Sequence, residues 1–240
     1  MIYALAASVA IFAYLLGSIS TSIILSKSIY GTDIRTSGSG NAGATNMLRT
    51  HGKGIAIATL VCDVLKGTIA VVLAACIEAI AAPTATQAAL LTGPELFLSG
   101  SLKYIAGVFA VFGHDIPVFF GFRGGKGVAT SLGVALALNW QVGLIICVVS
   151  ILIMIFTRYV SLGSVMGAGM YPFIIFTYLL ASGADIEDGL GHIIMAIILA
   201  ALLIGKHHTN IRRLANGTEN KLFAKKQEVP EATEETNKEE

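Results

Sequence analysis

Six apolar runs, at about residues 2–26, 54–82, 104–120, 128–157, 160–182 and 190–205, leave most of this chain unable to face water. A helix crossing the hydrocarbon of a bilayer needs about 20 predominantly apolar residues, and backbone in lipid must satisfy its own hydrogen bonds. The expectation is an all-α integral membrane protein. Of 240 residues, 55% are hydrophobic and 13% charged, which leaves room for about six to eight crossings in one compact unit. Residues 1–26 lack the basic front and small-residue cleavage site of a signal peptide, so they read as a first spanning helix. Cys62, Cys76 and Cys147 lie inside apolar runs with no Cys-x-x-Cys pair and read as small packing residues.

Charge sets the expected topology. Lys and Arg gather after the first and third runs, at Arg158 and beyond residue 205, whereas acids fall at Glu78, Glu95, Asp185, Glu187 and Asp188. Basic loops stay cytoplasmic, so Lys126 and Arg158 require an even number of crossings between them. The run 128–157 therefore reads as a short helical hairpin turning at Asn139-Trp140-Gln141. That gives seven transmembrane helices, with the N-terminus outside and the C-terminus cytoplasmic. Residues 1–222 form the membrane domain; 223–240, rich in Glu and Lys, read as a disordered charged cytoplasmic tail.

Four polar segments interrupt the apolar pattern and converge on the cytoplasmic side under this topology: Gly38 to Asn46, Phe122 to Gly127, Arg158 to Ser164 and His207 to Arg213. They are rich in Gly, Ser, Asn, Lys and Arg and poor in acid, as a site for an anion at a membrane surface would be. Gly124-Gly125-Lys126-Gly127 runs directly into the helix expected at 128–138, and a helix N-terminus with a lysine beside it suits phosphate. The segment is no P-loop, because Gly127 stands where Ser or Thr should follow the lysine. A basic turn gripping lipid headgroups is the competing reading. Ser39, Asn41, Thr45 and Asn46, with Arg35 and Arg49 nearby, suit a polyol phosphate; alone, they would equally fit turns and caps.

Asp63 and Lys66 share one helix face deep in a run, either as a structural ion pair or with Lys66 reaching phosphate. His114-Asp115-Ile116-Pro117 is either a helix end or part of the site. His207 and Asn210 lie one helical turn apart with Glu219 following, and nearby Lys and Arg favour a neutral His207. No His-x-x-x-x-Asp motif exists: the residues five beyond each histidine are Ala56, Phe119, Ile197, Arg212 and Arg213. A Gly-x-Ser-x-Gly elbow and metal-ligand clusters are likewise missing from the sequence. A transporter of an organic phosphate and a scaffold for anionic lipid remain competing functions.

Six ordered stretches resemble the bacterial acyl-phosphate:glycerol-3-phosphate acyltransferases, the PlsY family. They are Gly17-Ser18-Ile19, Asp33 through Arg49, Asp63 through Gly67, Gly113 through Thr130, Arg158 through Leu162, and His207 through Lys221. Only the loops 83–103 and 183–190 and the tail fall outside the likeness. The resemblance implies seven helices in the bacterial inner membrane with a cytoplasmic active site. It implies acyl transfer from acyl-phosphate to the 1-hydroxyl of sn-glycerol 3-phosphate, without cofactor or metal. Beyond these substrates and membrane lipid it leaves room for contact with the enzyme that makes acyl-phosphate, and implies no nucleic acid. On this resemblance Ser39, Arg49, Lys66, Lys126, Asn210 and Glu219 shape the glycerol phosphate site. Thr45, the Gly124-Gly125 backbone, Lys126, Ser161 and His207 surround the acyl-phosphate, with Asn41 and Asn46 as further substrate contacts. Lys126, His207, Ser39 and Asn210 are the residues nearest the chemistry.

Overall fold

The structure, a computed structural model, describes residues 1–83, 87, 90, 93, 95, 98, 100–183 and 186–222. The expected tail 223–240 and much of the loop 83–103 lie outside these residues. The described residues include ten α-helices with defined bounds, and no strand. They are α1 (Ile2–Gly17), α2 (Thr21–Tyr30), α3 (Ala44–His51), α4 (Lys53–Ile80), α5 (Leu102–Asp115), α6 (Val128–Leu138), α7 (Trp140–Thr157), α8 (Val160–Ser182), α9 (Ile186–Lys206) and α10 (His208–Ala215). Six segments are long and apolar enough to span a membrane: Ile2–Tyr30, Lys53–Ile80, Leu102–Phe120, Trp140–Thr157, Val160–Ser182 and Gly189–Lys206. The protein is an all-α integral membrane protein.

The first apolar run is broken where the sequence reading had one helix. Between α1 and α2, Ser18 turns its hydroxyl back to the Tyr14 carbonyl, 2.8 Å away. The step frees the Ile19 carbonyl, which accepts a hydrogen bond from Lys66 Nζ at 3.0 Å. The hairpin within 128–157 is present as expected. Asn139 ends α6 and caps α7, its side chain accepting from the Val142 N–H at 3.0 Å. With 11 residues, α6 is only about 16 Å long.

Lipid offers no hydrophobic drive for helix to meet helix, so close packing by small residues has to supply the attraction. Glycines provide it here. A Cβ on Gly17 would lie 2.1 Å from the Ala110 carbonyl oxygen, and one on Gly113 2.2 Å from that of Tyr14, so α1 and α5 touch backbone to backbone. Gly67 and Gly133 do the same for α4 and α6. Val71, Val111, Val134, Ile175, Met195 and Leu199 fill the centre between α4, α5, α6, α8 and α9. Large side chains such as Phe156, Phe173 and Ile155 point outward, where lipid would solvate them.

Candidate active site

One cavity of about 730 Å³ opens where the four polar segments meet. Its walls carry Ser39, Asn41, Thr45, Asn46, Arg49, Lys126, Ser161, His207, Asn210 and Glu219, so the fold brings together ten of the thirteen residues that the resemblance assigns to the site. Deeper in, Leu132, Ala135, Ala168, Tyr171, Leu199 and Leu203 make its lining apolar. A charged head and a hydrocarbon tail could share this space.

The first segment is held from within by Asn46, which is 1% exposed. Its amide donates to the carbonyls of Ile34, Ser37 and Asn41 at 3.1, 2.9 and 3.1 Å, and its oxygen accepts from the Ser39 N–H at 2.9 Å. Asn46 thus shapes the loop that presents Ser39 and Asn41. Arg35, read in the sequence as near the ligand, is instead a strap. It forks onto Asp33 and donates to the carbonyls of Phe120 and Arg123 at 2.6 and 3.0 Å. Hydrogen bonds from Arg35 hold the Asp33 carboxyl well below the usual carboxylate range.

Gly124 and Gly125 stand off the cavity wall. Gly125 donates its N–H to the His114 carbonyl at 3.1 Å. A Cβ on Gly124 would lie 2.1 Å from that oxygen, and one on Gly125 2.1 Å from His114 Nε2. These glycines let the loop lie flat on His114. Gly127, at φ +72, then turns the chain into α6 with a left-handed step that suits glycine. Val128 and Ala129, in the first turn of α6, line the cavity with Lys126, and a helix N-terminus favours an anion.

Lys126 heads a continuous polar chain. Its ammonium donates to Asn210 Oδ1, the Asn210 amide donates to Glu219 Oε1 at 2.7 Å, and the Ser161 hydroxyl donates to the same oxygen at 2.9 Å. Arg213 Nε binds Glu219 Oε2 at 2.7 Å. Burial alone would raise the Glu219 carboxyl; donation from Arg213, Asn210 and Ser161 outweighs it and keeps the group below its ordinary value. Burial, reinforced by Arg213 and Arg49 against the pull of Glu219, pushes Lys126 down to about 8. If the charged ammonium is what works, kcat/KM of the free protein should fall as pH rises through about 8, because the neutral amine takes over above that value. A pH–rate profile flat to pH 10 would exclude the charged form as the working one.

His207 follows α9 and caps α10. Its Nδ1 lies 2.8 Å from the Leu203 carbonyl, an acceptor, so Nδ1 carries the proton and Nε2 is left as an acceptor. Burial pushes its pKa down to about 4, so the ring is neutral at pH 7.

Lys66 is also off the wall. Its ammonium donates to the Ile19 carbonyl at 3.0 Å and to His114 Nδ1 at 2.9 Å, and forms an ion pair with Asp63 Oδ1 at 2.7 Å. Of the two readings its spacing allowed, the structure displays the ion pair. Asp63 and His114 themselves line the cavity, as do Lys53, Thr209 and Arg213. The sequence signal for His114 was its place beside Pro117 at the end of an apolar run; only the fold shows that the glycine loop lies over it.

These features match known proteins along nearly the whole chain. Residues 7–217 match the family "Glycerol-3-phosphate acyltransferase". The glycerol-3-phosphate acyltransferase of Clostridioides difficile (strain 630) is 47% identical over 219 residues, covering 91% of this chain and 96% of that relative. Its counterpart in Shouchella clausii (strain KSM-K16) is 44% identical over 225 residues, covering 94% and 99%. Among solved structures, the glycerol 3-phosphate form of PlsY (YgiH), an integral membrane glycerol 3-phosphate acyltransferase, superimposes with a TM-score of 0.73 at 35% identity. It covers 90% of this chain and 95% of that one. The lysophosphatidic acid form gives 0.71 at 34% identity, covering 90% and 94%. The chain belongs to the glycerol-3-phosphate acyltransferase family.

Proposed function

We propose that this protein transfers a fatty acyl group from acyl-phosphate to the 1-hydroxyl of sn-glycerol 3-phosphate on the cytoplasmic face of the bacterial inner membrane. The new bond is the ester; the bond broken joins the acyl carbon to the bridging phosphate oxygen. The products are lysophosphatidic acid and inorganic phosphate. One observation carries this reading: a single cavity joins a cationic, hydroxyl-rich end to an apolar end. The two PlsY structures, described as the glycerol 3-phosphate and lysophosphatidic acid forms, support it. So does the topology argued from charge, in which α6 makes a seventh, partial crossing and all four polar segments end on one face.

Acyl-phosphate is a mixed anhydride with a good leaving group, so the protein has mainly to gather two anions and stabilise charge on the carbonyl oxygen. Lys126 and the N-terminus of α6 hold the phosphoryl group, with Thr45 and Ser161 beside it; Arg49, Ser39, Asn41 and Asn210 hold glycerol phosphate, and Glu219 orients Asn210 and Ser161. Proximity of hydroxyl and carbonyl supplies several kcal/mol more. His207 Nε2 accepts the hydrogen bond of the attacking hydroxyl. With a pKa near 4 it is a weaker base than a phosphate, whose second pKa is about 6, so the proton passes to a substrate phosphate oxygen. The acid limb of kcat/KM should therefore lie near pH 6. A limb near pH 4 that vanishes in His207→Gln would transfer the base role to His207.

The donor is tested by supplying labelled glycerol 3-phosphate with palmitoyl-phosphate, palmitoyl-CoA or palmitoyl-carrier protein in turn. Lysophosphatidic acid from acyl-phosphate alone is expected; product from either thioester would break the donor assignment. Uptake of glycerol 3-phosphate into sealed vesicles without any donor would favour transport instead.

A further inference from the structure

His114 is a buried imidazole that the scheme above leaves idle. It is 5% exposed, ends α5 and forms part of the cavity wall. Lys66 Nζ stands 2.9 Å from its Nδ1, and an ammonium only donates, so Nδ1 must be the acceptor. Asp63 Oδ1, 3.6 Å from the same nitrogen, is too far to take a hydrogen bond from it. The neutral ring therefore keeps its proton on Nε2. That N–H faces the glycine loop one residue before Lys126, where a Cβ on Gly125 would intrude to 2.1 Å. Among the described residues the histidine's only side-chain hydrogen bond is the one at Nδ1, and Nε2 makes none. An imidazole N–H that makes no hydrogen bond within the protein is free to donate to a ligand, and this one belongs to a residue on the wall of a cavity whose rim carries Lys126, Arg49 and Arg213.

We propose that His114 Nε2–H donates a hydrogen bond to a phosphate oxygen of bound substrate, beside Lys126, and that Lys66, anchored by Asp63, is a positioning residue that fixes the ring in the required tautomer. The proposal deepens the reading above: it adds a neutral donor to the anion site and moves Lys66 from ligand contact to the support behind it. Two substrate phosphates could be the acceptor, that of glycerol 3-phosphate and that of the acyl donor.

His114→Gln and His114→Met separate the donor from the packing. Glutamine can accept from Lys66 and still offer an N–H toward the loop; methionine fills similar space without either. In purified protein, His114→Met should lower kcat/KM by about tenfold or more, in line with loss of a hydrogen bond to a charged group. His114→Gln should restore most of it, although thermal midpoints report any shared loss of packing. The substrate whose KM rises identifies which phosphate is bound. Heteronuclear NMR of the ring nitrogens should show Nε2 protonated in the wild type, and loss of that preference in Lys66→Met. Equal kinetic losses in the Gln and Met variants, or none in Met, would overturn the proposal. If the wild type rejects acyl-phosphate but binds glycerol 3-phosphate, the donor assignment alone fails. The Gln and Met variants are then compared by glycerol 3-phosphate affinity, where equality overturns the His114 assignment.

Discussion

Lys126→Met should lower kcat/KM with palmitoyl-phosphate by about 10³-fold, the scale seen when a charge-stabilising donor is removed from an oxyanion site. The ammonium is the cation beside the α6 N-terminus and the head of the chain through Asn210 to Glu219. Arginine should not rescue it, because a planar fork cannot reproduce a compact ammonium already hydrogen-bonded to Asn210. Stability should move the other way. A lysine whose folded pKa lies near 8, below its ordinary value of 10.5, binds fewer protons folded than unfolded between those values. Stability of the wild type thus rises with pH through that window, and the burial penalty is fully present below it. Lys126→Met removes the penalty, so its thermal midpoint at pH 7 should equal or exceed that of the wild type. A variant that loses activity only because it unfolds would refute the assignment.

Gly133→Val should be the most damaging change remote from the ligand. A Cβ on Gly133 would lie 2.0 Å from the Val64 carbonyl oxygen, and on the facing helix one on Gly67 would lie 2.3 Å from that of Thr130. Neither neighbour is a side chain able to swing away, so α4 and α6 must separate. Overpacking of this kind costs about 1–3 kcal/mol or more. Because α6 is short and carries Lys126 at its entrance, its displacement should also remove activity. Gly169→Ala is the control: nothing lies within 4 Å of the added Cβ, and alanine favours a helix. Gly133→Val should fail to accumulate or melt far below the wild type, whereas Gly169→Ala should melt at or above it. Equal melting of the two would remove close glycine packing as the source of this helix pair's stability.

Much of this architecture was legible because lipid enforces simple rules. Run length exposed the spans, and the placement of Lys126 and Arg158 exposed the hairpin at Asn139, which the structure caps where the sequence turned polar. The clustering of Ser39, Thr45, Arg49, Lys126, Ser161, His207, Asn210 and Glu219 followed from four polar segments sharing one face. What composition cannot convey is which polar groups are spent on one another. Arg35 and Lys66 look like phosphate ligands in a sequence, yet carbonyls at Phe120, Arg123 and Ile19 and carboxylates at Asp33 and Asp63 occupy them. Those acceptors come from residues up to 88 positions away. The glycines of the Lys126 loop show the same limit: they read as openings for a ligand, but they serve close contact with His114. The break at Ser18 to Ser20 was hidden because an apolar run carries no mark of the lysine that needs one of its carbonyls.

The most direct test is the stoichiometry of a single reaction: purified protein, glycerol 3-phosphate and palmitoyl-phosphate as the sole acyl donor, with lysophosphatidic acid and inorganic phosphate measured together. Transfer through this cavity predicts one phosphate released for each lysophosphatidic acid formed, and neither product without the acceptor. Phosphate released freely in the absence of glycerol 3-phosphate, or no lysophosphatidic acid at all from folded protein, would contradict it.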